Sequence, residues 1–249
     1  MSKGKKIKCL KQAPKQWHEK FDEVIISYGF HINNSDKCVY VKQYDNGVYV
    51  ILCLYVDDIL IFGSNIDVIN DVKYMLSNNF DMKDLGPIDV ILGINILQKD
   101  GDIMLTQSHY VEKLLKKFNY SNVKPVLTPF DPSIKLKKSL GEGISSHKYS
   151  QIIGSLLHLT NFSRPDIAYA VGRLGKYTHN PDHSHWTTLE RVFKYLKGTI
   201  NYGIHYTKFP AAIEGYSDAN WIYDSDETKS TTSYVFTLGG GAVSWKSAK

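Results

Sequence analysis

Two adjacent carboxylates, Asp57 and Asp58, stand between two apolar runs, Val48 to Val56 and Ile59 to Phe62. Runs so rich in β-branched, aromatic and aliphatic residues predict the two strands of a buried β-hairpin with acid at its tip. A hairpin turn ordinarily takes Gly or Asn, whereas two carboxylates repel each other and gain little from an apolar sheet. A cation beside them resolves that conflict. Hard oxygen ligands on a rigid hairpin suit Mg²⁺ and leave positions open for phosphate oxygens. The alternative is a solvated turn, because Asp hydrogen-bonds its own neighbouring backbone in turns.

The hairpin needs elements to hold it. From Pro14 to Gly29, Trp17, Phe21, Val24, Ile25 and Tyr28 recur at spacings of three and four, predicting an amphipathic helix that ends at the glycine. A turn over Asn33 to Asp36, a strand over Cys38 to Gln43 and a tight turn at Asp45-Asn46-Gly47 lead into the acidic hairpin. Asn65 is placed to cap a following helix with Ile69, Val72, Met75 and Leu76 on one face. Residues Asp81 to Leu97 read as strand with a break at Gly86-Pro87. Thr106 to Tyr120 reads as a helix with Tyr110, Val111, Leu114, Leu115 and Phe118 inward and lysines outward, and Pro125 to Ser146 reads as a linker. Helices are expected over Tyr149 to Phe162, Pro165 to Tyr177 and His183 to Gly198. The end is β again, with Asp218 in its first strand, an acidic loop at Asp224, Asp226 and Glu227, and a turn at Gly239-Gly240-Gly241.

The chain of 249 residues carries a net charge of +5, with lysines clustered at 3, 5, 6, 8, 11 and 15 and again at 113, 116, 117, 124, 135, 137 and 138. Such clusters suit either a polyanion or a solvated surface. Cys9, Cys38 and Cys53 form no C-x-x-C pair, which points to a reducing compartment. No apolar run is long enough for a membrane span, so an intracellular protein with no membrane partner is expected. His179, His183 and His185 have a metal-like spacing but no second ligand cluster, and read as a solvated loop.

Tyr55-Val56-Asp57-Asp58, within LYVDDILIFGS, resembles the Y-x-D-D box of reverse transcriptases in copia-type LTR retrotransposon Pol polyproteins. LKQAPKQWHEKF from Leu10, DLGPIDVILGINI from Asp84, YSQIIGSLLHLTNFSRPDIAYAVGRL from Tyr149, HWTTLERVFKYLKGTINYGIHY from His185, and the SDANW and STTSYVFTLGGGAVSWKS strings extend that resemblance in the family's order. It implies an α+β fold: a partial palm with an antiparallel sheet over residues 1–105, a thumb-like helix over 106–124, a linker over 125–146, a helical connection over 147–212, and the first strands of a ribonuclease H-like domain over 213–249. It further implies RNA-directed DNA polymerisation by two-metal nucleotidyl transfer with Mg²⁺ or Mn²⁺. The partners would be an RNA/DNA template-primer, a dNTP and other pieces of the polyprotein. In that reading Asp57, Asp58 and Asp218 are catalytic metal ligands, Gln12 and Tyr55 border the nucleotide, and Lys83 is a candidate to protonate the leaving pyrophosphate.

Nucleotidyl transfer by two metals needs a third carboxylate on a strand beside the hairpin, and the acids that precede Asp57 fall in the first helix or in turns. The family strand that carries it has no counterpart here, and the ribonuclease H motif is matched only as far as its opening strands. The resemblance thus implies a family polymerase truncated at both ends, inactive by itself. The alternatives are a non-catalytic nucleic-acid-binding remnant and an unstable product without a role.

Overall fold

The computed structural model describes residues 13–139, 141, 143–220 and 231–248. The chain divides between Gly86 and Pro87 into two compact units.

In the first unit, helix α1 (Ala13–Ser27) ends where Gly29 takes φ +83°, a left-handed conformation that costs glycine nothing. Four strands follow, β1 (His31–Ile32), β2 (Val39–Gln43), β3 (Tyr49–Tyr55) and β4 (Asp58–Gly63), all antiparallel and adjacent in chain order. Helix α2 (Ile66–Asn79) starts as expected at Asn65, whose side chain accepts the Asp67 N–H at 2.8 Å. Period-two alternation along β3 puts Val50, Leu52 and Leu54 into a core with Tyr40, Phe21 and Ile25 of α1, and Val72 and Leu76 of α2. The opposite face of the sheet leaves Tyr49, Tyr55 and Phe62 exposed.

The second unit holds two antiparallel sheets around a helical core. Strands β5 (Val90–Ile91), β6 (Ile94–Lys99) and β7 (Asp102–Thr106) are joined by the distant β8 (Gly203–Tyr206), paired to β7 at Thr106↔Gly203. Residues 81–89, expected in a strand, form none, because Leu85 and its neighbours find no ladder and stay exposed. Helices α3 (Ser108–Lys117), α4 (Ser146–Phe162), α5 (Ala168–Gly175) and α6 (His183–Gly198) pack Val111, Leu114, Leu156, Leu159, Val171, Leu174, Val192 and Phe193 together. A 3₁₀ turn over Pro165–Ile167 precedes α5, where one continuous helix was expected. Residues 125–139, read from composition as linker, carry two apolar anchors, Phe130 and Leu136, that are buried in this core. The last sheet is β9 (Ile213–Asn220), β10 (Thr231–Leu238) and β11 (Gly241–Ala248), with β10 central. Trp245 of β11 ties it to α4 by donating to the Thr160 carbonyl at 2.7 Å.

His185 departs from the solvated-loop expectation. It is fully buried in the first turn of α6, where it completes a capping box: Asp182 accepts the His185 N–H, and the His185 ring accepts the Asp182 N–H at 3.0 Å. Burial lowers its pKa below the ordinary 6.5, and the opposing pull of Asp182 does not make up the difference. A depressed folded-state pKa means the unfolded chain takes up the proton first. The stability contributed by neutral His185 is therefore present above about pH 6.5 and lost as pH falls below it. Thermal melts from pH 7.5 to 5 are expected to show a decline that His185→Gln flattens, since Gln at this position still accepts from the cap N–H. Equal slopes in the two proteins would contradict this.

Candidate active site

Strands β3 and β4 meet through a two-residue turn, Val56-Asp57, closed by the pair Tyr55↔Asp58. Asp57 therefore occupies the turn and Asp58 the first position of the returning strand, and both carboxylates are exposed. Because directly paired residues share a face, Asp58 lies on the same open side of the sheet as Tyr55, Cys53 and Leu60.

Val56 carries the cost of this arrangement. Its φ of 54° is the sign that a two-residue hairpin turn requires, but a β-branched residue pays about 1 to 3 kcal/mol to adopt it. The Trp17 indole N–H of α1 donates to the Val56 carbonyl at 3.0 Å. Trp17 is itself wedged against Phe21 and Phe80, with ring centroids 5.8 and 5.2 Å away. The first helix thus clamps the acidic turn from behind while its carboxylates stay open in front.

A divalent ion fits this donor set only in part. Asp57 and Asp58 offer hard oxygens from adjacent positions, but among the described residues no group of three His, Cys, Asp or Glu side chains could hold a metal. Two carboxylates do not complete the ligand set that two-metal chemistry requires.

The other candidate residues fall elsewhere. Gln12 lies outside the described residues, as do Lys3, Lys5, Lys6, Lys8, Lys11, Cys9, and the acids Asp224, Asp226 and Glu227, whereas Lys15 is exposed on α1 and pairs with Glu19 at 3.6 Å. Lys83 is exposed in the irregular stretch after α2, and the ion pair there belongs to its neighbour, Asp84 with Lys73 at 3.0 Å. A hydrogen bond from the Gly86 N–H, then Lys73, holds the Asp84 carboxyl below the usual carboxylate range. Asp218 stands in the second unit, exposed on β9 opposite Ser233, and lines a cleft of about 390 Å³ with Tyr169, Tyr216, Trp245 and Lys246.

Sequence reasoning missed Trp17 and Val56 as parts of the site. A valine just before two acids in a short turn was a visible signal, since few residues tolerate that backbone. The indole contact spans 39 residues and leaves no local pattern. Among the described residues, no helix is long and apolar enough to cross a membrane.

Comparison with known proteins gives a consistent result. The family described as reverse transcriptase (RNA-dependent DNA polymerase) matches residues 2–132. The chain is 40% identical over 253 residues to the retrovirus-related Pol polyprotein from transposon TNT 1-94 of Nicotiana tabacum, covering 98% of this chain and 19% of that protein. It is 37% identical to the Pol polyprotein from transposon RE1 of Arabidopsis thaliana, covering 96% of this chain and 16% of that protein. A putative transposon Ty5-1 protein of Saccharomyces cerevisiae is 33% identical over 96% of this chain and 79% of its own length. The chain thus spans less than a fifth of the two Pol polyproteins. No solved structure gives a significant match.

Proposed function

The chain belongs to the reverse transcriptase (RNA-dependent DNA polymerase) family, in the form found in transposon Pol polyproteins, and on that premise we propose that it supplies the acidic hairpin and part of the template-primer surface for RNA-directed DNA polymerisation. The observation that carries this reading is the clamped turn: two carboxylates held open at the end of a hairpin whose strained Val56 is fixed by Trp17. In it, residues 1–105 act as palm, 106–124 as thumb and 213–249 as the start of a ribonuclease H-like domain. The linker over 125–146 and the connection over 147–212 join them. Divalent metal would supply charge neutralisation for the triphosphate, with Asp57 and Asp58 as two of its ligands and Asp218 serving separately in the ribonuclease H-like strands. Tyr55 borders the nucleotide from the open sheet face, while Gln12 and Lys83 are the polar and basic groups assigned to the nucleotide and the leaving group. Intracellular action is part of the same reading. Primer extension on an RNA template tests it, with the chain grafted in place of the matching stretch of the TNT 1-94 polyprotein and compared with its Asp57→Ala, Asp58→Ala variant.

A second reading, nucleic-acid binding without catalysis, is favoured by α3. Its Val111, Leu114 and Leu115 are buried, while Lys113, Lys116 and Lys117 share its exposed side. Lysines that neutralise phosphates release counterions, so affinity falls as a power of salt concentration, with a slope of about −0.9 per duplex phosphate contact. Fluorescence anisotropy on an RNA/DNA template-primer is expected to show such a slope for the chain as it stands. Replacing the three lysines by Gln should make it shallower by about 2 to 3. Binding indifferent to salt would rule this surface out.

A further inference from the structure

Across the first unit, behind the acidic hairpin, α1 and the entry to β2 bring together a thiol, an imidazole and a carboxylate. His18 and Asp22 are four residues apart on α1 and so share a face. His18 Nδ1 lies 3.3 Å from Asp22 Oδ2, and His18 Nε2 lies 3.9 Å from Cys38 Sγ. The remaining oxygen of Asp22 accepts the Tyr40 hydroxyl, which fixes the carboxylate in place. Burial, then Asp22, pushes the Tyr40 hydroxyl well up, so it stays a donor. Cys38 is fixed as well: its N–H donates to Asp36 Oδ1 and its carbonyl accepts the Leu54 N–H, both at 2.8 Å. A proton on Nδ1, the nitrogen beside Asp22, would leave the His18 lone pair on Nε2, facing the sulfur. This is the order nucleophile, base, orienting acid that activates a thiol.

The site is neither sealed nor fully open. The His18 and Asp22 side chains are about a third and a quarter exposed, and Cys38 is half-buried. Cys53 on β3 is the contrast within the same sheet. It is also half-buried, no imidazole among the described residues is hydrogen-bonded to it, and burial raises its thiol pKa.

We propose that Cys38 is a peroxide-reactive modification site, with His18 as its base and Asp22 as the residue that orients the imidazole. The thiol proton passes to His18 Nε2 as the sulfur attacks a hydroperoxide oxygen. The S–O bond forms, the O–O bond breaks, and the departing hydroxide takes the proton from His18 and leaves as water. Sulfur is oxidised by two electrons to the sulfenic acid and the peroxide is reduced. Neither Asp57 nor Asp58 takes part, so the proposal stands apart from the polymerase reading.

The test treats the full chain with hydrogen peroxide and traps sulfenic acid with dimedone, following each cysteine by peptide mass spectrometry. Cys38 is expected to be labelled about tenfold or more faster than Cys53, and His18→Gln should remove most of that advantage while leaving Cys53 unchanged. Asp22→Asn should lower the Cys38 rate by a smaller factor. Should His18→Gln unfold the unit, Cys53 would speed up, and the Asp22→Asn comparison then decides. Equal rates at Cys38 and Cys53 in the parent, or a Cys38 rate indifferent to Asp22→Asn, would overturn the proposal.

Discussion

Removing both hairpin carboxylates, Asp57→Ala with Asp58→Ala, is expected to lower primer extension by the TNT 1-94 graft by roughly a thousandfold or more, the scale seen when catalytic groups acting as a unit are deleted. The fold predicts that this loss comes without unfolding. Both side chains are exposed, and the Tyr55↔Asp58 pairing that closes the turn is made by backbone. Val56 keeps its φ because the restraint on it, the Trp17 indole, lies on the other side of the turn. The urea midpoint of the variant should therefore match the parent, or rise slightly as two adjacent like charges are removed. The ungrafted chain is expected to give no extension above its own double variant, since the described residues bring only two carboxylates to this turn. Extension by the ungrafted chain that depends on Asp57 and Asp58 would mean that another group completes the set. Extension by the grafted double variant would remove the hairpin from the chemistry altogether.

What the sequence made legible was what local pattern encodes. The apolar runs around Asp57 and Asp58, the spacing of Phe21 and Ile25, and the cap at Asn65 each follow from a period or a turn preference, and each stands where expected. What it hid depends on contacts between distant residues. Nothing near Cys38 announces His18, because a strand end and a helix face come together only when the sheet folds against α1. Phe130 and Leu136 sit among Pro, Ser and Lys, so a window average reads linker, yet two apolar side chains are enough to fasten an irregular stretch to a core. The strand β8 was lost inside a helical expectation because its partner, β7, lies about a hundred residues earlier in the chain. His185 was misread for the same reason: its spacing to other histidines is visible, but the tertiary packing that buries it is not.

Arg164 is a buried charge at the junction of α4, α5 and α6, and Arg164→Ala is expected to destabilise the second unit by about 3 to 5 kcal/mol. Its side chain is only 1% exposed. The guanidinium forks onto Asp166, with Nε 2.9 Å from Oδ1 and Nη2 2.7 Å from Oδ2. Its far side donates to the Thr199 carbonyl at 3.0 Å and to the Thr199 hydroxyl at 2.6 Å. One side chain thus fastens the end of α4 and the entry to α5 to the C-cap of α6, from which the chain continues into β8. Tyr195 completes the set by donating to Asp166 at 2.8 Å, and burial, then Asp166, pushes its hydroxyl up to about 12. Alanine would leave Asp166 and the Thr199 carbonyl without these donors and open a cavity between the rings of Tyr195 and Tyr202, which flank the guanidinium at 5.7 Å. Lysine should rescue little, because a point charge cannot reproduce the fork and the Thr199 contacts together. Methionine fills the space and brings no charge to desolvate, so Arg164→Met should cost less than Arg164→Ala. Urea unfolding followed by circular dichroism ranks the three. A loss below about 0.5 kcal/mol for alanine, the range of ordinary surface substitutions, would show that Thr199 and Asp166 find other partners and that the guanidinium does not hold these elements together.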